Sequence, residues 1–342
     1  MRQKINRRRF ITISAAAAGA LMSGQTKAAA QGAALVQWHG AALGAEAQIN
    51  LYTKHPAQAQ EIFAMCQLEI SRLENIFSLY RKNSAINSLN KQGYLDDPDF
   101  EFLDLLSRCL SCYHLTGGAF DVTIQPLWTL YADHFSRPNA DPAGPSQDSI
   151  KQTLKLVGSD KIRLDPRRIS FAQKGMGISL NGVAQGYITD QVTKRLKAAG
   201  FENILVYMGE TYAMGHHDDG RPWTAGISSP LKDHKIMMTI PLANQALATS
   251  GGYGSPFSSQ SHLHHILDPK TGTSAYQHGS VSVVAKDTTT ADMLSTAFYV
   301  LPFDKILGLW PKYPQLERAI FISSTGKIQE ISKSEQGILS LR

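Results

Sequence analysis

The apolar positions along the chain change period several times. Residues 34–53 alternate weakly about Gly44 and predict strands. From 56 to 80 the spacing becomes helical, with Ile62, Met65, Glu69, Leu73, Ile76 and Phe77 on one stripe. A second helix is predicted over about 99–116. It starts after Asp97-Pro98, repeats Phe102, Leu105, Leu106, Cys109, Leu110 and Tyr113, and stops at Gly117-Gly118, where glycine permits a left-handed exit. SRPNADPAGPS at 136–146 is the clearest loop, a lid or a variable insertion. Strands are then predicted around 161–180, a helix from Gly182 to Ala199, a buried strand over Ile204 to Met208 and short strands over 223–248. A strand from Val281 to Ala285, a helix over about 288–300 and a strand near Ala319 to Ser323 complete the pattern. Strands and helices mix without a steady β-α-β rhythm, which predicts an α+β fold rather than a doubly wound sheet.

Composition narrows this picture. The 342 residues are 43% hydrophobic and 18% charged, enough to bury one large core or two tightly joined halves. The first thirty residues read as an address: a basic start, the short apolar run Ile11 to Met22, and an Ala-rich end after Lys27. Arg7-Arg8-x-Phe10-Ile11 gives this leader a twin-arginine form, so 1–30 is expected to direct export to the periplasm and 31–342 to be the mature domain. The leader is too short and alanine-rich to span a bilayer, and no later apolar stretch approaches a span, so the mature protein is not expected to be transmembrane. Part of the net charge of +6 sits in Arg2, Lys4 and Arg7-Arg8-Arg9. No Lys/Arg stripe interleaves with aromatics, which argues against a nucleic-acid partner. The three cysteines make no disulfide framework. Cys109 and Cys112 read as core-facing thiols one helical turn apart, in preference to a redox pair.

Candidate chemistry begins with SHLHHILDPKTG at 261–272, where His262, His264 and His265 could form a metal site or supply one imidazole as a base. Asp292 and Thr296 stand one turn apart on a helix with Asp287 as its natural N-cap. Their oxygens, near a loop carbonyl, would make a hard site suited to Mg²⁺, although such a pair is commonly just an exposed face. Ser179-Leu-Asn-Gly182-Val-Ala184-Gln-Gly186-Tyr187 runs a small-residue turn into a helix start, which suits phosphate or close helix packing. Ala248-Thr-Ser250-Gly251-Gly252 and Gly118-Ala-Phe-Asp121-Val-Thr-Ile-Gln-Pro126-Leu are loops that could cradle a nucleotide or be tight turns.

Taken in order, Tyr80-Arg-Lys-Asn-Ser84 to Asn90, GGAFDVTIQPL, LNGVAQGYITD, ATSGG, HHILDPKTG, and VSVVA with AD-x-x-x-T resemble the ApbE family of FAD:protein FMN transferases over roughly residues 35–325. The resemblance implies one large α+β domain with FAD in a central cleft. It also implies Mg²⁺-dependent transfer of FMN from FAD to a threonine or serine of an acceptor protein, with release of AMP. By that resemblance Asp292, Thr296 and the Gly182 carbonyl are the expected metal ligands. Leu43, Tyr80, Ala119, Phe120, Asp121, Ser179 and Thr249-Ser250-Gly251 are expected at the FAD, and His265 is the expected base for the acceptor hydroxyl. The chain departs from the pattern at Ser179, where relatives more often carry Asp, and at Gln185, where Lys is frequent. Met208-Gly209-Glu210-Thr211 stands where many read Leu-Gly-Gly-Asp. With the leader, the Gly-Glu variant is similar to the NosX-like subgroup, associated with nitrous-oxide reductase maturation. That implies a membrane-anchored acceptor, respiratory or NosR-like. No string of the chain matches an acceptor motif, so it is not expected to be its own acceptor. Two other readings stay open: a periplasmic FAD carrier without transfer activity, and a metallochaperone using His216-His217-Asp218-Asp219 and the histidine cluster.

Overall fold

A computed structural model describes residues 33–231, 235–259, 261–333 and 339–341. The expected leader at 1–30 lies outside the described residues. Nine strands form one sheet in the order Ala34–Ala42, Ala45–Thr53, Ile204–Tyr207, Thr211–Met214, Gln245–Ser250, Ser280–Ala285, Leu316–Ile322, Ile328–Lys333 and Leu339–Leu341, with every neighbour antiparallel. The first two strands meet at the two-residue turn Leu43-Gly44, with φ of 50° and 82°. Both values suit the tight turn that matches strand twist, but a left-handed leucine is strained.

Both faces of the sheet are covered, which explains the near-continuous apolar run VSVVA: all six residues of Ser280–Ala285 are buried. Ala246, Ala248, Val281, Val283, Ala319 and Phe321 face the main core, shared with the long helices. Leu247, Val284, Ile320 and Ile322 face the other way, against the hairpin Trp223–Ser228 and Ile236–Leu242. On the helical side, Pro56–Phe77, Ala184–Ala198 and Thr288–Val300 stack on the sheet and on one another. Buried Glu69 joins two of them through Arg195 and is also paired with Arg72 of its own helix. A smaller sheet, Tyr94–Asp96, Arg168–Phe171 and Ile162–Asp165, flanks them. A satellite apolar cluster of Leu127, Tyr131, Ile150, Val157 and Leu267 lies outside the main core.

The α+β expectation holds, and the long helices and the strands at 34–53, 204–207 and 280–285 fall where the pattern puts them. Three differences have physical reasons. The strand expected up to residue 180 stops at Phe171. Beyond it the Asn90 side chain accepts the Ile178 N–H at 2.7 Å and donates to the Ile178 carbonyl at 2.8 Å, standing in for a neighbouring strand. The helices Ala85–Gln92, Gln125–Phe135 and Gln147–Leu154 are short elements that the periodicity did not reveal. Met65, placed on the apolar stripe of the first helix, is 52% exposed.

Candidate active site

Stretches of the chain around residues 43, 80, 119–128, 179–185, 210, 249–255, 265–269 and 292–300 converge on a cleft enclosing about 1340 Å³, its open mouth included. This is the size class of a large organic ligand. All thirteen residues expected at the site line it: Leu43, Tyr80, Ala119, Phe120, Asp121, Ser179, Gly182, Thr249, Ser250, Gly251, His265, Asp292 and Thr296.

The helix carrying Asp292 and Thr296 is capped twice. Asp287 accepts the Thr290 N–H at 2.9 Å, and Asp190 from the neighbouring helix accepts the N–H groups of Thr288 and Thr289 at 2.8 Å each. Helix Ala184–Ala198 approaches so closely that a β-carbon on Gly186 would stand 2.6 Å from the Thr288 carbonyl oxygen. The approach lets the Gly186 N–H donate to Asp292 Oδ2 at 3.0 Å. Burial, opposed by that hydrogen bond and reinforced by Asp190, raises the Asp292 carboxyl to about 7.

Hydroxyls gather beside it. Ser250 Oγ lies 2.8 Å from Ser295 Oγ and 3.2 Å from Thr296 Oγ1, and a β-carbon on Gly182 would come within 3.1 Å of that same Thr296 oxygen. The donors here are hard oxygens, which fit Mg²⁺ and not zinc. Among the described residues the cleft is lined by Asp121, Glu210 and Asp292 and by no lysine or arginine. Such a wall needs a cation to receive a pyrophosphate.

The histidines divide as single residues, not as a metal cluster. His262 is exposed, with its carbonyl accepting from Tyr276 Oη at 3.2 Å. His264 is buried against Tyr276 and Tyr299, with Nε2 bonded to the Ala275 carbonyl at 2.8 Å. His265 lines the cleft and directs Nδ1–H to the Ser255 carbonyl at 3.3 Å, which leaves Nε2 as its acceptor. Burial, with His264 beside it, holds the His265 imidazole down to about 4, so it stays neutral at physiological pH. The turn that follows is built by its sequence: Asp268 Oδ1 accepts the Lys270 N–H at 2.8 Å, and Gly272 takes φ 71°. Among the described residues no group of three or more His, Cys, Asp or Glu could hold a metal. His217 is occupied by Tyr52 Oη at 3.1 Å and by the Trp223 ring. Cys109 and Cys112 are buried thiols, and burial lifts Cys112 to about 12, so neither is poised for redox chemistry.

Asp121 lines the cleft and also has a structural task. Its Oδ1 accepts from Thr123 N, Thr123 Oγ1 and Ser159 Oγ at 2.8, 2.6 and 2.7 Å, so it ties two loops together at the cleft wall. Asn90 as a clamp and Glu74, which accepts the Leu43 N–H at 2.7 Å, carry no sequence signal of these roles, and Glu210, visible only as a departure from the family pattern, faces into the cleft. Their spacing carries no period; only the fold brings them to the site.

Comparison with known proteins agrees with this geometry. A model of the ApbE family matches residues 43–321. A FAD:protein FMN transferase of Haemophilus influenzae is 31% identical over 247 residues, 69% of this chain and 71% of that protein. Another, from Treponema pallidum, is 29% identical over 306 residues, 82% of each. The crystal structure of the Pseudomonas stutzeri flavinyl transferase ApbE superposes with TM-score 0.71 at 26% identity, covering 91% of this chain and 94% of that one. The ApbE protein of Thermotoga maritima gives 0.77 at 27% identity, over 89% and 98%. Sequence, fold and cleft therefore lead to one assignment: the chain belongs to the ApbE family.

Proposed function

We propose that this protein is a Mg²⁺-dependent FAD:protein FMN transferase, which joins FMN from FAD to a serine or threonine hydroxyl of an acceptor protein and releases AMP. The observation that carries this reading is the meeting, in one cleft, of a hard-oxygen cluster around Asp292 with the neutral, tautomer-fixed imidazole of His265. The naming of its relatives as FAD:protein FMN transferases supports it.

The chemistry asks mainly for positioning and charge neutralisation. Asp292, Thr296 and the Gly182 carbonyl would hold Mg²⁺, which neutralises pyrophosphate charge when bound. The loops at 118–121, 179–182 and 249–251, with Leu43 and Tyr80, line the space for the nucleotide. The acceptor oxygen attacks the phosphorus of the FMN half, the pyrophosphate P–O bond breaks, and AMP leaves with the electron pair. His265 Nε2 takes the hydroxyl proton. A low pKa makes this imidazole a modest base, but it keeps the lone pair free at every physiological pH.

The twin-arginine pattern supports export to the periplasm. With the Gly209-Glu210 variant, it supports a membrane-anchored acceptor of respiratory or NosR-like type and a role in nitrous-oxide reductase maturation. Among the described residues no helix is long and apolar enough to cross a membrane.

Purified protein, FAD, Mg²⁺ and a flavin-acceptor domain should give a flavin-fluorescent acceptor band that survives denaturing electrophoresis. Bound FAD without that band, with an acceptor that a relative does flavinylate, would replace the transferase with a carrier.

A further inference from the structure

Glu210 is the largest departure from the expected pattern inside the cleft, and the structure gives it a defined place. The tight turn at Gly209 takes φ 94°, which favours glycine, and the amide end of Gln185 lies against it. Beyond that turn the Glu210 carbonyl accepts the Met208 N–H at 3.0 Å, and the residue lines the same cleft as Asp292 and Thr296. Its Oε2 accepts the Thr249 N–H at 3.2 Å. The next residue along that strand, Ser250, touches Ser295 and Thr296. Glu210 is 8% exposed and Asp292 4% exposed. Each has one carboxylate oxygen held by a backbone N–H; Glu210 Oε1 and Asp292 Oδ1 take no hydrogen bond from the described residues. Neither makes an ion pair among them, and no lysine or arginine lines the cleft. Two buried carboxylates that line one cleft with no cationic side chain beside them are relieved by a shared cation.

We propose that Glu210 supplies a second carboxylate to the divalent-cation site around Asp292 and Thr296, so that the protein takes up the cation before any nucleotide arrives. This rests on the cation site of the proposed function and adds to it a ligand and an order of binding. Gln185 fits the same arrangement, since a neutral amide beside Gly209 leaves the acidic pair without a competing positive charge.

The test uses Mn²⁺ alone as a probe on the full mature protein without FAD, by titration calorimetry and by the loss of free-Mn²⁺ electron paramagnetic resonance signal. The wild type should bind one Mn²⁺. Glu210→Gln keeps the size and an acceptor for Thr249 N–H, and should weaken Mn²⁺ by about tenfold or more while its metal-free Tm stays level or rises. Asp292→Asn should weaken it as well. Wild-type Mn²⁺ affinity in Glu210→Gln with loss in Asp292→Asn overturns the role of Glu210 and leaves the cation site standing. Wild-type affinity in both variants overturns the site itself. Mn²⁺ binding only after FAD is added overturns the order of binding.

Discussion

At Gly186 a β-carbon would stand 2.6 Å from the Thr288 carbonyl oxygen and 2.9 Å from Asp292 Cβ. One absent methyl therefore sets how near the two helices come, and with it the N–H that holds Asp292. Gly186→Ala should cost roughly 1–3 kcal/mol of stability in urea denaturation, as overpacking does. It should also weaken Mn²⁺ binding, because Asp292 is displaced with its helix; wild-type binding would show the carboxylate is placed otherwise. At the same scale His265 keeps one ring nitrogen without a partner among the described residues. His265→Gln should lower the transfer rate by about 10²–10⁴, with FAD affinity within about twofold on a fluorescence titration. His265, Asp292 and Thr296 were legible in the sequence because an ordered set of motifs brackets them. The contacts of Glu210 and Asn90 and the structural role of Asp121 were not, because each depends on a partner 38 or more residues away.

The element that matters most is the helix Thr288–Val300, whose first turn is held by carboxylates from two helices. Asp190 is the less expected of the two, since it lies in mid-helix in Ala184–Ala198 and serves another helix's N-terminus. Asp190→Ala leaves two buried N–H groups unsatisfied, and should destabilise the fold by about 1–3 kcal/mol, read as a lower urea midpoint at unchanged slope. Asp287 could be named as a cap from sequence because it immediately precedes its helix. Asp190 could not, because a cap supplied from elsewhere leaves no local signature. The same limit hid Ala85–Gln92: two turns are too few for periodicity, although Ser84 caps its start and Gly93 its end.

For the whole molecule, the irregular mixing of strand and helix patterns showed the fold class but not that both sheet faces are buried. That doubling turns an alternating pattern into runs such as VSVVA. Burial also governs the response to acid. His264 and His265 are both held at about 4 in the fold, against about 6.5 in a free chain. The unfolded chain therefore takes up these protons first as pH falls. Their contribution to stability is complete above pH 6.5 and is lost toward pH 4. Asp292, raised to about 7, works in the opposite direction, because the fold favours its protonated form. Comparing Tm against pH in the wild type and His265→Gln isolates the imidazole. The variant should lose less Tm between pH 6.5 and 4, and parallel curves would show that the imidazole titrates normally in the fold.

The satellite apolar cluster has a consequence at this largest scale. Tyr131 donates to the Gly272 carbonyl at 3.0 Å, and Phe257 stacks on Tyr131 and Phe135, so the segment bearing His265 leans on the helix Gln125–Phe135. The helix bearing Asp292 and Thr296 packs on the main core. The histidine segment touches that helix too, through His264 against Tyr299 and through Ile266 in the main core, so it rests on both clusters. Sequence change confined to the satellite cluster shifts the turn at 268–272 while the helix under Asp292 keeps its own packing.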